Sequence, residues 1–298
     1  MGDTLRCAGL DCRRVFPITG GIPLLVDPRS SLFSFEEYLR NSAKIVDVGP
    51  SRWRGLRALI PPSSLNFKAK ENLERFGKEL LLQSEEPLVL VIGGGTTGEG
   101  LTSITNNPSF TCIETDLALG PRTRIICDAH RLPFPDGSMD GVVIQAVLEH
   151  VVDPQRCVEE IYRVLGNRGI VYCETPFIQQ VHLGAYDFTR FTHVGLRLLF
   201  RRFEEVGSGV ACGPGMALAW SCQYFLQSFT RSPSVARVLR VISRLFTFWL
   251  TYFDPLVGDS PGALDAASAY YFFGRKSSQR LSDREIIAQY RGLQRSMR

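Results

Sequence analysis

The chain has 298 residues, 44% of them hydrophobic and 21% charged, with a formal charge of +4. This is an ordinary globular composition, with room for one large core and a small second unit, and it excludes a disordered or collagen-like chain. The slight basic excess is spread along the chain, which excludes a nucleic-acid partner. The opening "MGDTLRCAGLDCRRVF" is charged and holds no apolar signal core, and no apolar run reaches the ~18–20 residues of a spanning helix. Most of the eight cysteines fall inside expected strands and helices. They read as reduced core thiols, so a cytoplasmic setting is expected.

Residues 1–30 form a short first block with Cys7, Cys12 and "FPITGGIPLLVDP". Residues 31–84 follow as a linker or lid, broken at Pro61-Pro62 and ending in the helix "NFKAKENLERFGKELLL". There Phe67, Leu73, Phe76, Leu80 and Leu81 recur at roughly helical spacing. From residue 85 strands alternate with helical patterns: Leu88–Ile92, Phe110–Thr115, Thr123–Cys127, Gly141–Gln145 and Gly169–Glu174. Such alternation implies crossover units and a parallel sheet. A mostly helical apolar insertion is expected at about 214–258, and "ASAYYFFGRK" reads as a late strand.

The first of these strands runs into "LVLVIGGGTTGEG", with Gly93, Gly95 and Gly98 in the G-x-G-x-x-G spacing. Glycines there let backbone N–H groups and a following helix approach a nucleotide, and an acid after the second strand binds ribose hydroxyls. Asp116 is that acid, 23 residues after Gly93 and close to the ~20 expected. The glycines alone do not separate a nicotinamide dinucleotide from S-adenosylmethionine (SAM).

The next fifty residues do. "IICDAHRLPFPDGSMDGVVIQAVLEHVVDPQRCVEEIYRVLGNRGIVYCETPF" resembles class I SAM-dependent methyltransferases of the type 11 group. The resemblance implies a Rossmann-like, doubly wound, mostly parallel seven-stranded sheet spanning 85–290. It also implies that Asp128-Ala129 meets the adenine and that "VLEHVVDP" is the loop after the fourth strand. Where the family often has an acid two residues before the first glycine, this chain has Val91. Glu99 or Glu149 is expected to take the methionine amino group instead, or else backbone carbonyls do. The competing enzyme class, an NAD-dependent oxidoreductase, lacks a Tyr-x-x-x-Lys pair. A non-catalytic SAM-fold scaffold is the competing non-enzyme.

After the fifth strand, "ETPFIQQVHLGAYDFTRFTHVGLRLLF" lies where an acceptor must approach the methyl group. Gln179, Gln180, Tyr186 and Arg190 are its expected acceptor-binding residues. His182 and Asp187 have two readings. In one, His182 is a general base that Asp187 orients or backs up. In the other, Asp187 pairs with Arg190 and His182 caps a helix. The run also resembles a bacterial methyltransferase group met beside sugar and cell-envelope genes. That implies a small-molecule acceptor, methylated on oxygen or nitrogen, such as a sugar, envelope or secondary-metabolite precursor.

Residues 1–30 resemble the tail of a zinc-ribbon-like module. Only Cys7 and Cys12 of the four ligands that structural zinc wants are present, so a metal-free remnant is expected. In 235–257, Val235, Leu239, Ile242, Phe246, Trp249, Leu250 and Phe253 share one helical face, while Arg237, Arg240 and Arg244 lie opposite. This pattern suits a lid packed on the sheet, a homodimer contact, or a peripheral membrane helix.

Overall fold

The computed structural model describes residues 3–8, 13–27, 31–32 and 64–294. Cys12, Pro61-Pro62 and most of the 31–84 block lie outside the described residues.

Seven strands form one sheet: β4 (Leu88–Ile92), β5 (Thr111–Asp116), β6 (Ile125–Ile126), β7 (Met139–Gln145), β8 (Leu165–Pro176), β9 (Phe203–Cys212) and β10 (Ala269–Lys276). Their order is β6-β5-β4-β7-β8-β10-β9. The pairs from β6 across to β8 are parallel, while β10 runs antiparallel to both β8 and β9. This is the expected Rossmann-like sheet. A smaller antiparallel sheet of β1 (Thr4–Arg6), β2 (Val15–Thr19) and β3 (Ile22–Pro23) precedes it.

A parallel strand covered on both faces needs apolar residues at successive positions, and β4 reads LVLVI for that reason. Side chains alternate between faces. Leu90 and Ile92 join one core with Val142, Ile144 and Val171, against Cys157, Val158 and Ile161 of helix α3 (Pro154–Val164). Val89 and Val91 join the other, against Leu73, Phe76 and Leu80 of helix α1 (Ala69–Leu81). A Cβ added at Gly141 would lie 2.8 Å from the Phe76 ring, so glycine there lets α1 seat on the sheet.

β9 was not among the expected strands. Gly207 and Gly209 interrupt its apolar pattern, and Tyr271 of the neighbouring strand fills the space beside them. An aromatic lying over strand glycines supplies the packing that their missing side chains cannot. The helix expected after the glycine loop is only a four-residue α2 (Thr102–Thr105), so the loop presents no long helix end.

Beyond α4 (His193–Leu199), the 214–258 region is helical as expected: α5 (Pro214–Gln227), α6 (Pro233–Thr247), a 3-10 turn (Phe248–Phe253) and α7 (Asp254–Val257). One buried side chain ties its two ends. Asp254 accepts from the N–H groups of Gly215 at 2.7 Å and Met216 at 3.0 Å, satisfying donors that the first turn of α5 leaves unpaired. Burial pushes this carboxyl up, against those bonds. Asp254→Ala should destabilise the protein by about 2–3 kcal/mol, because charge-assisted bonds to buried N–H groups are lost. Chemical denaturation checks this.

Candidate functional site

The carboxyl ends of β4 to β8 meet at one edge of the sheet, on either side of the point where strand order reverses beside β4. Ligands of open α/β sheets bind at such a point.

Gly93 follows β4 with φ 76°, and a Cβ there would stand 2.3 Å from Val147 Cγ2. The loop is latched to β5. Gly94 N–H donates to Thr115 O at 2.9 Å, and Gly95 N–H donates to Asp116 Oδ2 at 3.0 Å. Asp116 Oδ1 accepts from Ala118 N–H at 2.9 Å, so each carboxylate oxygen keeps acceptor capacity for a ribose hydroxyl. Gly98 stands against Gln145, whose Oε1 would lie 2.4 Å from an added Cβ.

After β6, Asp128 is buried. It accepts from His130 N–H at 2.9 Å and sits 2.6 Å from His130 Nδ1. Burial pushes the Asp128 carboxyl up, but the bonds from His130 and Ser31 outweigh it and hold the group below its usual range. Ala129 beside it is buried too. The third expected position therefore carries a carboxylate fixed in its ionised form.

Beside the glycines lies a cavity of about 280 Å³, lined by Gly93, Gly98, Glu99, Gln145, Ala146 and Glu174 among others. Glu174, at the end of β8, was not read from the sequence. Burial raises its pKa, and it accepts from Tyr172 Oη at 2.5 Å, Asn66 Nδ2 at 2.9 Å and Gln145 Nε2 at 3.0 Å. Register was the missing signal: parallel pairing of β7 with β8 sets Gln145 beside Glu174. Of the two acids expected in place of Val91, Glu99 lines this cavity and Glu149 does not. Gln145 Oε1 is buried without a hydrogen-bond partner among the described residues. An unpaired buried acceptor beside a glycine cradle fits the amino end of a bound cofactor.

Ala146 has φ 52°, a left-handed conformation that costs an L-residue roughly 1–2 kcal/mol. Its N–H is held by Glu174 O at 3.0 Å. The strained residue turns the chain from the cavity into the 3-10 turn Leu148–His150.

The turn and the loop after β8 build a second centre. Glu149 is 0% exposed, and neither carboxylate oxygen has a hydrogen-bond partner among the described residues. Burial pushes its pKa to about 7. His150 Nε2 and His182 Nε2 stand 3.0 Å apart, and Glu149 Oε1 lies 3.7 Å from the first and 3.8 Å from the second. Burial lowers the His150 pKa.

Asp187 forms a bidentate ion pair with Arg190 and accepts the His182 backbone N–H at 2.9 Å. The Arg190 pair holds its carboxyl far below the usual range. His182 Nδ1 bonds Gln180 O at 3.2 Å and stands 3.6 Å from Asp187. This geometry is the Asp187–Arg190 pairing of the structural reading, while His182 turns its other nitrogen toward His150 and does not cap a helix. Gln179, Gln180 and Arg190 line an open groove of about 530 Å³ with Tyr224 of α5, whose hydroxyl donates to Val181 O at 3.0 Å. Tyr186 contributes its backbone carbonyl, 2.8 Å from His150 Nδ1.

Residues 94–173 match the family described as "Methyltransferase domain". The match covers about a quarter of the chain. A demethylmenaquinone methyltransferase of Clavibacter sepedonicus is 46% identical over 63 residues, which cover 20% of this chain and 25% of that protein. The match thus spans a quarter of the curated relative's length. Among solved structures, a Burkholderia thailandensis 1,6-didemethyltoxoflavin-N1-methyltransferase is 13% identical with TM-score 0.44, over 91% of this chain and 98% of its own. A Haemonchus contortus phosphoethanolamine N-methyltransferase, solved with S-adenosyl-L-methionine, is 15% identical with TM-score 0.44, over 71% of this chain and 52% of its own.

The latched glycine loop gives a direct test. Gly93→Ala should cost about 2–4 kcal/mol of stability, through the positive φ and the clash with Val147. Denaturant unfolding measures the loss.

Proposed function

We propose that the protein is a SAM-dependent methyltransferase acting on an oxygen or nitrogen of a small molecule. The observation that supports it best is the domain match laid over three consecutive parallel strand ends. They carry a glycine turn, its latching Asp116 and the buried, ionised Asp128. Bound SAM would supply an electrophilic methyl carbon on sulfur. In this reading Gly93 and Gly95 give the cofactor backbone room, Asp116 takes the ribose hydroxyls, and Asp128 with Ala129 meets the adenine. Glu99 and Glu174 face the amino end, which is the place the sequence also offered to Glu149.

The acceptor lies toward the groove of Gln179, Gln180 and Arg190. Transfer needs an in-line approach at about 3–3.5 Å, so positioning supplies most of the rate. As the methyl–sulfur bond breaks and the new bond forms, the acceptor's proton must leave, and His182 is the base nearest this loop. Asp187 holds the loop through Arg190. A sugar, envelope or secondary-metabolite precursor is the acceptor class that the resemblance implies; Gln179, Gln180 and Arg190 offer it polar groups in a groove whose exposed surface is mainly apolar. Residues 85–290 together with α1, whose Leu73, Phe76 and Leu80 build one of the two cores, are the transferring unit, with 1–30 as a zinc-ribbon-like remnant.

Among the described residues no helix is long and apolar enough to cross a membrane. The insertion is not a lid packed on the sheet by its apolar side: Val238, Ile242, Phe246, Trp249, Phe253 and Leu256 are all exposed. Between Ser228 and Phe253 the chain carries four arginines and no acid. An apolar helix face with a wholly basic complement suits the interface of an anionic bilayer, with a homodimer contact as the other occupant.

Two outcomes are expected. Calorimetry should show binding of SAM and not of NAD, and Asp116→Ala should weaken SAM by about 1.5–3 kcal/mol in a folded protein. An unchanged affinity would move the ribose contact elsewhere. Anionic vesicles should sediment the protein in a salt-sensitive way, and Trp249→Glu should release it while SAM binding persists.

A further inference from the structure

The centre of Glu149, His150 and His182 has a feature that methyl transfer alone leaves unused. Each imidazole sets its Nδ1 against a backbone carbonyl, Tyr186 O at 2.8 Å for His150 and Gln180 O at 3.2 Å for His182. A carbonyl only accepts, so each Nδ1 carries the hydrogen and each neutral ring presents a bare lone pair at Nε2. Those two lone pairs face each other across 3.0 Å. Beside them stands the Glu149 carboxylate, fully buried and without a hydrogen bond among the described residues. Three Lewis bases thus converge, an arrangement that is repulsive unless a cation neutralises it.

A proton shared between the rings would fit their 3.0 Å separation but would leave Glu149 unpaired, since its Oε1 is 3.7 and 3.8 Å from the two ring nitrogens, too far to hydrogen-bond either. Ligand atoms of a single ion, by contrast, stand roughly 3–4 Å apart. For the triangle of 3.0, 3.7 and 3.8 Å a single point lies about 2.1 Å from all three atoms, the bond length of first-row divalent metals to imidazole and carboxylate. The Nδ1 bonds to carbonyls are the outer partners that fix the tautomer and direction of metal-binding histidines. Residues 149–150 and 182 come from two loops, and these are tied by Phe188 N–H to Glu149 O at 2.8 Å and by His150 Nδ1 to Tyr186 O at 2.8 Å.

We propose that Glu149, His150 and His182 bind one divalent transition-metal ion in a two-histidine, one-carboxylate site with open positions left for an oxygen ligand. Two imidazoles with one carboxylate suit Zn²⁺, Fe²⁺ or Co²⁺ rather than Mg²⁺ or Ca²⁺. What the ion does there rests on the methyl-transfer reading: it would lower the pKa of an acceptor hydroxyl bound at the open position enough for its proton to pass to solvent before transfer, with His182 then a ligand instead of the base. Its binding does not rest on that reading.

The test uses the full chain carrying Cys7→Ser and Cys12→Ser, so that N-terminal thiols take no metal. Dialysis against CoCl₂ and ZnCl₂, followed by elemental analysis, should give about one ion per chain. Co²⁺ should show visible d–d absorption without thiolate charge-transfer bands. His182→Ala, at a partly exposed position, and the isosteric Glu149→Gln should each weaken binding at least ~100-fold, since loss of a mere outer partner already costs 10–100-fold. Far-UV circular dichroism and SAM calorimetry on the same samples report folding. A folded, SAM-binding protein that takes up neither ion overturns the proposal and leaves a shared proton between the rings. Undiminished binding in both variants overturns it as well. Ion binding without SAM binding would sink the transfer reading and leave the metal site standing.

Discussion

The parallel pairing of β4 with β5 on one side and β7 on the other is the constraint on which the rest depends. Parallel neighbours must all point their carboxyl ends the same way, so every crossover returns the chain to the same edge before the next strand begins. That alone gathers Gly93, Asp116, Asp128, Gln145 and Glu174 within one small region, although they span more than eighty positions of sequence. The pairing is held by apolar residues on both faces of β4, and the groups at the strand ends are held by backbone bonds and, for Gln145 and Glu174, by one another. Gly94 and Gly95 hang on β5, and Ala146 hangs on β8. The site is therefore rigid to the extent that the sheet is.

The second centre is built on a different principle. Its parts sit on turns beyond the sheet, and what positions them is a ring of carbonyl contacts and one ion pair. Arg190 is the hub, bonding Asp187, Gln179 O and Gln180 O together, so that the loop is closed on itself before any ligand arrives. α5 braces it from outside through Tyr224, and α5 in turn is braced by Asp254 from the far end of the insertion. The helical insertion thus reaches the acceptor side through two successive contacts.

What the sequence made legible follows this division. β4, β7 and β8 stand out because burial on both faces forces near-continuous apolar runs, and Asp116 and Asp128 stand out as the acids that close the shorter β5 and β6 segments. β6 is shorter than its run because only Ile125 and Ile126 pair with β5. β9 stayed hidden because glycines that accommodate Tyr271 erase its alternation. Glu174 looked like the last residue of an ordinary strand; only cross-strand register places it beside Gln145. His182 and Asp187 were visible as reactive side chains, but their partners were not. Which nitrogen faces which neighbour is decided by backbone carbonyls, and carbonyls have no signature in a sequence. The same reasoning separates Glu149 from Glu99: both are candidates for the acid missing at Val91, but Glu99 lines the cavity while the left-handed turn at Ala146 carries Glu149 to the histidines.

The small N-terminal sheet docks in a way that bears on how the chain is made. Leu24 bridges Ile126, Leu25 N–H donates to Ile126 O at 2.8 Å, and Asp27 pairs with Arg131 at 2.6 Å. Leu24 and Val26 are buried in a cluster with Ile126. All of these partners are synthesised about a hundred residues later, so in a chain emerging from the ribosome the module has nothing to bury its apolar strip against. It must wait, exposed, until the first three parallel strands have been completed. The edge of the sheet at β6 waits with it, since the late arrival of one is what covers the other. The docking closes a loop of about the same length as the one closed when β10 pairs with β8, so both are non-local steps that local helix and strand formation precedes.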